Sequence, residues 1–436
     1  MSYFHLNLIL QGKLTVCCLL MLSAMPLNAQ REAKQIGDFK ESISLNEHLR
    51  GTKRTLQYRP DGDEFVCVNG KNRYTRALYG SHSPFRVETS DRPVFAFYNN
   101  GRGGNISFKV ILRDGTELAL DCTGHCESRY SAGKRTYYLT DPSWGKGELR
   151  ISVLALADMD GAIWRFSPSN MPKGAILRWQ HGGATGKRLS RNGDMGVDPA
   201  DCFELPAEAT DLVTGELSLQ KEVYLVRGEV PEDYNVRKLY QQAEAASLAL
   251  ASHLKIETPD PYLNTLGGAL VAAADGIWDG QVWLHGAIGW RMPLSGWRAG
   301  YTGDALGWHD RARTHFDAYA ASQVTDVPNT IPHPAQDSTM NLARSEKRWG
   351  TPQYSNGYIC RNPERNNQMH HYDMNLCYMD ELLWHFNWTG DTAYVRKMWP
   401  VITRHLAWEK LNYDPDNDGL YDAYACIWAS DALYYN

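Results

Sequence analysis

Residues 285–315 bring aromatic rings, arginines and acids together in a Gly-rich segment that leads into a helical pattern. Rings stack on the apolar faces of pyranoses, Arg donates fixed pairs of hydrogen bonds, and carboxylates transfer protons. The segment therefore predicts a carbohydrate site, and the alternative is a Trp-rich core between two helices. The predicted substrate contacts are Trp290, Arg291, Trp297, Arg298 and Tyr301, and the predicted catalytic or anchoring acid is Asp304.

A second group of candidates lies at the start of another predicted helix. Asp373 follows His370 and His371, and an acid in the first turn of a helix is stabilised by the helix dipole. Neighbouring side chains on a helix point apart, so the two histidines are not expected to share a metal. Asp373 is a candidate catalytic residue, and the histidines are candidate substrate contacts or packing residues. For Asp304 and Asp373 alike, a plain N-terminal cap is the alternative.

An acidic loop, Asp414-Pro-Asp416-Asn-Asp418-Gly419, matches the opening of a calcium-binding loop. The bidentate Glu expected at its twelfth place is Ala425, so a full EF-hand site is not expected. A weak calcium site at Asp414, Asp416 and Asp418 stays open, and a solvated Asx turn is the default interpretation. No other cofactor or metal is predicted.

Charge and composition exclude several classes of protein. The chain has 436 residues and a formal net charge of −5, and no run of like charge occurs. These features predict neither nucleic-acid binding nor a polybasic membrane surface. The 14 Trp and 24 Tyr suit a protein that handles carbohydrate, although large cores use them too.

Residues 1–29 have the pattern of a secretory signal. Lys13 supplies a positive charge, residues 14–25 are an apolar core, and Ala29 ends a cleavage-like site. The apolar run is too short to span a bilayer, so we expect a secreted or periplasmic protein without a transmembrane segment. Seven of the nine cysteines lie beyond this segment, an odd number that does not suit a disulfide framework. For Cys122 and Cys126, a local disulfide and ordinary thiols are both open.

The elements that must position the candidates fall into two halves. Residues 30–230 are predicted to form an antiparallel β-sandwich, because short runs of alternating or β-branched residues recur between turn signals such as Asn-Gly70 and Arg-Asp-Gly115. The predicted strands are Thr55–Arg59, Glu64–Val68, Val94–Tyr98, Asn105–Leu112, Glu117–Leu120, Arg135–Leu139, Glu148–Ala157, Ala162–Phe166, Ala175–Trp179 and Lys221–Arg227. Residues 231–436 are predicted to be helical from the spacing of their apolar residues. The predicted helices begin near Asn235, Pro261, Gly303, Asp373, Asp391 and Ser430, with Asp233 or Asn235 as the cap of the first, Pro261 as a first-turn residue and Asp391 as a cap.

Two of these helical predictions bear on the site. The helix from Gly303 is expected to continue to about Val324, which places Asp304 in its first turn. Residues 325–369 form a long irregular segment with several prolines and aromatic residues. Loops of this length in a compact domain are usually functional or disordered, and the aromatic content favours an ordered wall of the active site.

Three short motifs follow one another along the helical half of the chain. They are Gly300-Tyr-Thr-Gly-Asp304-Ala, Trp388-Thr-Gly-Asp391 between two helices, and the Asp-rich loop after the second helix. The chain over residues 235–436 resembles the six-hairpin glycosidases, and the first motif is similar to a segment of α-rhamnosidase-type members. Such enzymes are (α/α)6 toroids, commonly preceded by a β-sandwich, and mostly invert the anomeric centre with two carboxylates.

The resemblance implies a multidomain β + α fold, an N-terminal antiparallel β-sandwich followed by a truncated (α/α)6 toroid. A toroid of this class needs about twelve helices, and this chain supplies about five before another begins. Half a toroid leaves an apolar inner wall exposed. We therefore expect a C-terminally incomplete toroid, either a fragment of a longer protein or the product of a shortened reading frame.

The resemblance also implies where the acid and the base lie. In related toroids the general acid is commonly found between the fifth and sixth helices, here residues 414–431. Asp422 is the implied acid because aromatic neighbours raise a carboxyl pKa, and a structural role for it is the alternative. Trp428 and Asp431 are implied substrate contacts. The base commonly lies late in the barrel, which here means beyond residue 436.

The sequence therefore favours a secreted glycoside hydrolase, or an N-terminal fragment of one, that acts on a plant or microbial polysaccharide or oligosaccharide by inversion. As a fragment the chain is expected to be inactive. Two alternatives stay open: a polysaccharide lyase that uses His370, His371 and Tyr372, and a non-catalytic glycan-binding surface protein. Carbohydrate is the expected partner, and the sugar, the linkage and the oligomeric state are left open.

Overall fold

The computed structural model describes residues 57–72, 75–99, 102–182, 212–230, 233–287, 291–325, 356–366, 373–414 and 416–421. All of them belong to one unit, Gln57–Asn436, whereas the unit Met1–Leu56, with the predicted signal segment, lies outside the described residues. The described part contains 14 strands and six α-helices, so the chain is mixed β and α, as predicted.

The strands form two antiparallel sheets. They are β1 Arg59–Asp61, β2 Glu64–Val68, β3 Arg76–Tyr79, β4 Arg86–Thr89, β5 Phe95–Asn99, β6 Arg102–Ile111, β7 Glu117–Ala119, β8 His125–Ser131, β9 Lys134–Thr140, β10 Glu148–Ala155, β11 Gly161–Ser169, β12 Ile176–Gly182, β13 Val213–Ser218 and β14 Val223–Gly228. The first sheet has the order β1-β2-β8-β9-β10-β11-β14. The second has the order β13-β12-β6-β5-β4-β3, and β7 pairs with β6.

Aromatic residues of the two sheets form one shared core. Phe95 of the second sheet contacts Tyr137 and Trp164 of the first, with ring centroids 5.7 and 5.6 Å apart. The ring centroid of Phe108, also of the second sheet, lies 6.2 Å from that of Trp164. Burying a large apolar side chain stabilises the fold by about 1.5–3 kcal/mol, so these rings hold the sheets together. The arrangement confirms the predicted pair of packed antiparallel sheets.

Strand β4 was not predicted, because its sequence, Arg86-Val-Glu-Thr, has the composition of a surface segment. All four residues are buried. Arg86 Nε donates to Glu88 Oε1 at 2.5 Å, and this pairing allows both charges to leave water. The prediction also missed β3, β8 and β13, whose patterns are likewise short or polar.

The six helices follow the sandwich. They are α1 Val236–Ala251, α2 Pro261–Gly276, α3 Gly300–Ala305, α4 His309–Ala320, α5 Asp373–Thr389 and α6 Thr392–Tyr413. Two predicted caps are confirmed: the Asn235 side chain accepts from the N–H of Lys238, and the Asp391 side chain accepts from Ala393 and Tyr394. The helix predicted near Ser430 lies outside the described residues.

The single helix predicted from Gly303 to Val324 is wrong. Two helices, α3 and α4, are separated at residues 306–308, where Gly307 has a φ of +74°. This left-handed conformation interrupts a right-handed helix, and glycine adopts it without a steric penalty. Asp304 therefore lies in the last turn of α3, and the helix-dipole argument for its charge does not apply.

The helices form a second core and also pack against the sandwich. Trp283, Phe316 and Tyr378 lie fully buried in that core. Tyr240 of α1 packs in a separate cluster with Ile163 of β11. No helix within the described ranges combines the length and the apolar composition needed to cross a membrane.

Candidate functional site

Segment 298–304 and helix α5 meet along a line of polar contacts, which we call the α3–α5 seam. It consists of Arg298, Tyr301, Asp304, Asp380, Glu381 and His385. The hydroxyl of Tyr301 donates to Oδ2 of Asp380. His385 Nδ1 lies 2.9 Å from each carboxylate oxygen of Asp304. The structure therefore brings three of the predicted site residues, Arg298, Tyr301 and Asp304, to one place.

Asp304 is a buried acid held between two histidines. Its Oδ1 lies 2.7 Å from His309 Nδ1, in addition to the contacts with His385. The His385 side chain is fully buried, whereas 43% of the His309 side chain is exposed. A carboxylate on one imidazole nitrogen fixes the orientation of the ring. The geometry thus suits Asp304 to position His309, and its catalytic role stays a prediction.

Glu381 lies against the loop that carries Arg298. It is 1% exposed, and burial raises the pKa of its carboxyl group well above the usual range. The backbone N–H groups of Arg298 and Gly300 oppose part of this shift, although within the described residues no partner meets full hydrogen-bond geometry. A Cβ at position 300 would lie 2.4 Å from Glu381 Oε2, so the contact depends on Gly300. The site therefore contains a buried carboxyl group whose protonated form is favoured by burial.

Arg298 adopts an unusual backbone conformation beside that acid. Its φ is +63°, which is uncommon for a residue other than glycine, and its side chain is exposed. Such conformations concentrate at functional sites, where the surroundings hold them in place. The ring of Trp297 is half-buried, with its centroid 4.2 Å from that of His285. Trp297, Arg298 and Tyr301 therefore lie together in one short segment beside Glu381.

Tyr301 joins this segment to α5 through its hydrogen bond to Asp380. Burial and then the hydrogen bond to Asp380 raise the pKa of Tyr301, so the phenol keeps its proton and remains a donor. Asp380 itself is exposed. The seam thus combines an exposed carboxylate, held by a tyrosine, with a buried carboxyl group on the following residue of α5, and the two side chains point to different sides of the helix. Neighbouring acids in such different environments are a recurrent feature of acid–base sites.

Arg291 lies elsewhere. Its Nη1 donates to the carbonyl of Gly276 at 3.1 Å, and its Nη2 donates to the carbonyl of His82 at 2.6 Å. The structure therefore places Arg291 between the end of α2 and the sandwich, and not in the seam.

Several predicted site residues cannot be located in the seam or away from it, because they lie outside the described residues. They are Trp290, His370, His371, Asp422, Trp428 and Asp431, together with the side chain of Asp373, whose backbone begins α5. Their roles stay predictions.

The acidic loop has its three carboxylates close together. One oxygen each of Asp414, Asp416 and Asp418 lies within 4.8 Å of the others. The N–H of Leu420 donates to Asp418 at 2.7 Å, as in an Asx turn. With one oxygen each, the three carboxylates supply three of the six to eight oxygen ligands that Ca²⁺ prefers. The group fits a solvated turn, and a weak calcium site stays a prediction.

His309, Asp380, Glu381 and His385 were not among the residues that the sequence predicted for the site. A signal for two of them existed, because Glu381 and His385 are four residues apart and so share one face of a helix. That face also carries Tyr378 and Leu382, and a polar pair on an apolar helical face needs partners. Asp380 carries no such signal, since its partner Tyr301 is 79 residues away, whereas His309 lies only five residues from its partner Asp304.

Comparison with known proteins gives limited likenesses. A family described as a domain of unknown function, DUF4450, matches residues 100–233, which include strands β6 to β14 of the sandwich. No curated protein matches the chain. Among solved structures, a bacterial glucoamylase complexed with acarbose is similar at a TM-score of 0.42 and 10% identity, over 77% of this chain and 61% of that one. The chain thus spans less than two thirds of that structure, and a TM-score of this size does not establish a common fold.

Proposed function

We propose that the chain belongs to a secreted or periplasmic glycoside hydrolase with a toroidal helical half, acting on a plant or microbial polysaccharide or oligosaccharide. The observation that carries the proposal is Arg298, whose backbone is left-handed and whose side chain is exposed between Trp297 and Tyr301. It lies near the exposed Asp380 and the buried Glu381. Ring faces, a guanidinium fork and a carboxylate are the groups that bind a sugar ring and its hydroxyls.

In the proposed roles, some residues at the seam contact the sugar and others hold those residues in place. Trp297 and Arg298 contact the sugar, and Asp380 accepts hydrogen bonds from its hydroxyls while Tyr301 holds the carboxylate in place. Glu381 is too deeply buried to touch a glycan, so it is a positioning residue for the loop at Arg298.

The proposed chemistry is an inverting hydrolysis with two carboxylates roughly 6.5–9.5 Å apart, which leaves room for a water. Asp422 is the proposed acid, Asp373 is a second candidate for the chemistry, and the base is not assigned. Asp304 acts through the orientation of His309.

The test is a screen of the complete gene product that contains residues 1–436, on plant and microbial glycans, by release of reducing ends, with the anomer of the first product read by NMR. Arg298→Ala and Tyr301→Phe are expected to lower kcat/KM at least tenfold, which is about 1.4 kcal/mol of transition-state stabilisation. Arg237→Ala, an exposed arginine on α1, is the matched control and should leave kcat/KM unchanged. Activity that survives the combined replacement of Asp304, Asp373 and Asp422 by Asn refutes the proposal.

A polysaccharide lyase is the second candidate because of His309. An exposed histidine oriented by a buried carboxylate is suited to abstract a proton. An unsaturated, ultraviolet-absorbing product that is lost in His309→Gln identifies a lyase. Glycan binding without a product of either kind indicates a non-catalytic protein.

A further inference from the structure

A cavity lies between the sandwich and helices α1, α2 and α4, apart from the residues of the seam. Its volume is about 280 Å³, just below the ~300 Å³ at which pockets for drug-sized ligands begin. Seven of its lining residues are alanines, including Ala246 and Ala249 of α1, which are exposed. A cavity of this size with small side chains on its wall accommodates one compact ring and not an oligosaccharide.

Three side chains that can carry positive charge line this cavity together with a single acid. Asp275 Oδ1 lies 2.6 Å from Arg311 Nη1 and 3.2 Å from His82 Nε2, and His253 completes the set. Burial alone would raise the pKa of Asp275, but hydrogen bonds from His82 and Arg311 outweigh burial and lower it. Arg311 is the fixed cation of this group and Asp275 engages one of its nitrogens, so the other N–H groups of the guanidinium and the ring of His253 offer donors to an acceptor-rich ligand group such as a carboxylate.

Arg311 is held rigidly at the cavity. Its guanidinium carbon lies 4.4 Å from the ring centroid of Trp308 and 5.7 Å from that of Trp278. A stacked guanidinium loses little entropy when it binds a planar anion, and carboxylates match its geometry. Tyr79 and Ser247 also line the cavity and add hydroxyl-bearing side chains beside the alanines.

From this geometry we infer that the cavity between the sandwich and the helices binds one carboxylate-bearing sugar ring, of the hexuronate class. The carboxylate lies with Arg311, His82 and His253, the sugar hydroxyls meet Asp275 and Ser247, and the alanines cover the apolar face of the ring. This site goes beyond the proposed hydrolysis, since none of its residues belongs to the seam.

Titration calorimetry of the full chain with three matched probes tests the inference. D-galacturonate carries the carboxylate and the hydroxyls, D-galactose lacks the carboxylate, and cyclohexanecarboxylate lacks the hydroxyls. D-galacturonate is expected to bind at least tenfold more tightly than either of the others. Equal affinity for D-galactose or for cyclohexanecarboxylate overturns the assignment of the ligand class.

Two variants of α1 locate the binding. Ala249→Phe fills the cavity from its exposed side and should weaken D-galacturonate binding at least tenfold. Ala245→Phe adds the same ring to an exposed position of α1 that does not line the cavity, and it should bind like the unmodified chain. Equal binding by both variants, with equal thermal melts, overturns the location.

The inference about the cavity and the proposal of hydrolysis can be refuted independently of each other. If no glycan is hydrolysed, the calorimetric comparison still decides whether the cavity binds D-galacturonate. If Ala249→Phe binds normally while Arg298→Ala abolishes turnover, only the cavity inference is lost.

Discussion

Burial decides the charge of individual residues in the helical half. Burial raises the pKa of Glu381, so its carboxyl keeps a proton where an exposed Glu is ionised. The same cause lowers the pKa of His315 to about 3, so the buried ring stays neutral. Both groups avoid an uncompensated charge in the core. At Glu381 this gives the loop at Arg298 a neutral neighbour.

The first prediction concerns Glu381→Gln. Unfolded Glu ionises near pH 4.3, whereas folded Glu381 keeps its proton to higher pH, so the folded state binds more protons in that window. Its contribution to stability is full below the unfolded pKa and is lost as pH rises towards the folded pKa. The variant should make the free energy of unfolding less dependent on pH by at most about 1.4 kcal/mol per pH unit.

Urea unfolding between pH 4.5 and 8 measures this slope. Glu148→Gln, an exposed position at the start of β10, is the control and should keep the slope of the unmodified chain. A Glu381→Gln chain with that same slope contradicts the raised pKa.

Helix starts and the break between α3 and α4 depend on residues within one or two turns. The starts at Asn235, Pro261 and Asp391 follow from residues within one turn, namely caps and a first-turn proline. The break at Gly307 lies where Asp304 contacts His309, five residues further on, and the left-handed glycine is itself a local feature.

The second prediction is made for the start of α6. Asp391 Oδ1 accepts from the N–H groups of Ala393 and Tyr394, both at 3.0 Å. Asp391→Ala should therefore lower the free energy of unfolding by about 1 kcal/mol, within a range of about 0.5–2. Thermal or urea unfolding measures the loss.

Asp391→Asn separates the cap from an ion pair. It keeps the accepting oxygen but removes the charge that pairs with Arg313 at 3.1 Å, a partly exposed contact that contributes little. This variant should cost less than Asp391→Ala. If Asp391→Asn and Asp391→Ala lower the free energy of unfolding equally, the effect belongs to the ion pair and not to the cap.

In the molecule as a whole, polar contacts join the helices to the sandwich. Lys134 pairs with Glu244 of α1 at 2.8 Å, and Thr265 of α2 donates to the carbonyl of Gly62 at 3.0 Å. Arg291 adds its two bonds to backbone carbonyls on either side. Apolar packing beneath α1 strengthens this contact. The sandwich therefore supports α1, α2 and the segment at Arg291.

The third prediction is that Arg291→Ala weakens this contact. The loss of two charge-assisted hydrogen bonds should lower the free energy of unfolding by about 1–3 kcal/mol. Differential scanning calorimetry measures the change, and Arg237→Ala, an exposed arginine, should stay within about 0.5 kcal/mol. Equal melting temperatures for the two variants would show that Arg291 is not a structural tie.

Much of the element content was predictable because it depends on near neighbours along the chain. Alternating residues predicted the antiparallel sheets, helical spacing predicted the position of α1, α2, α5 and α6, and capping residues predicted where helices begin. The side chains of Arg298, Tyr301 and Asp304 also lie within seven residues of one another, so the sequence by itself placed half of the seam.

Only the tertiary structure decided the other half. Asp304 and His385 are 81 residues apart, and the burial that gives Glu381 its proton comes from the packing of α5 against the loop at Arg298. The buried Arg86–Glu88 pair and the cavity at Asp275 arise in the same way. Propensity and periodicity describe a residue and its neighbours within a turn or two. Contacts between distant segments set burial, and burial sets which acid is charged, so this part of the site required the folded chain.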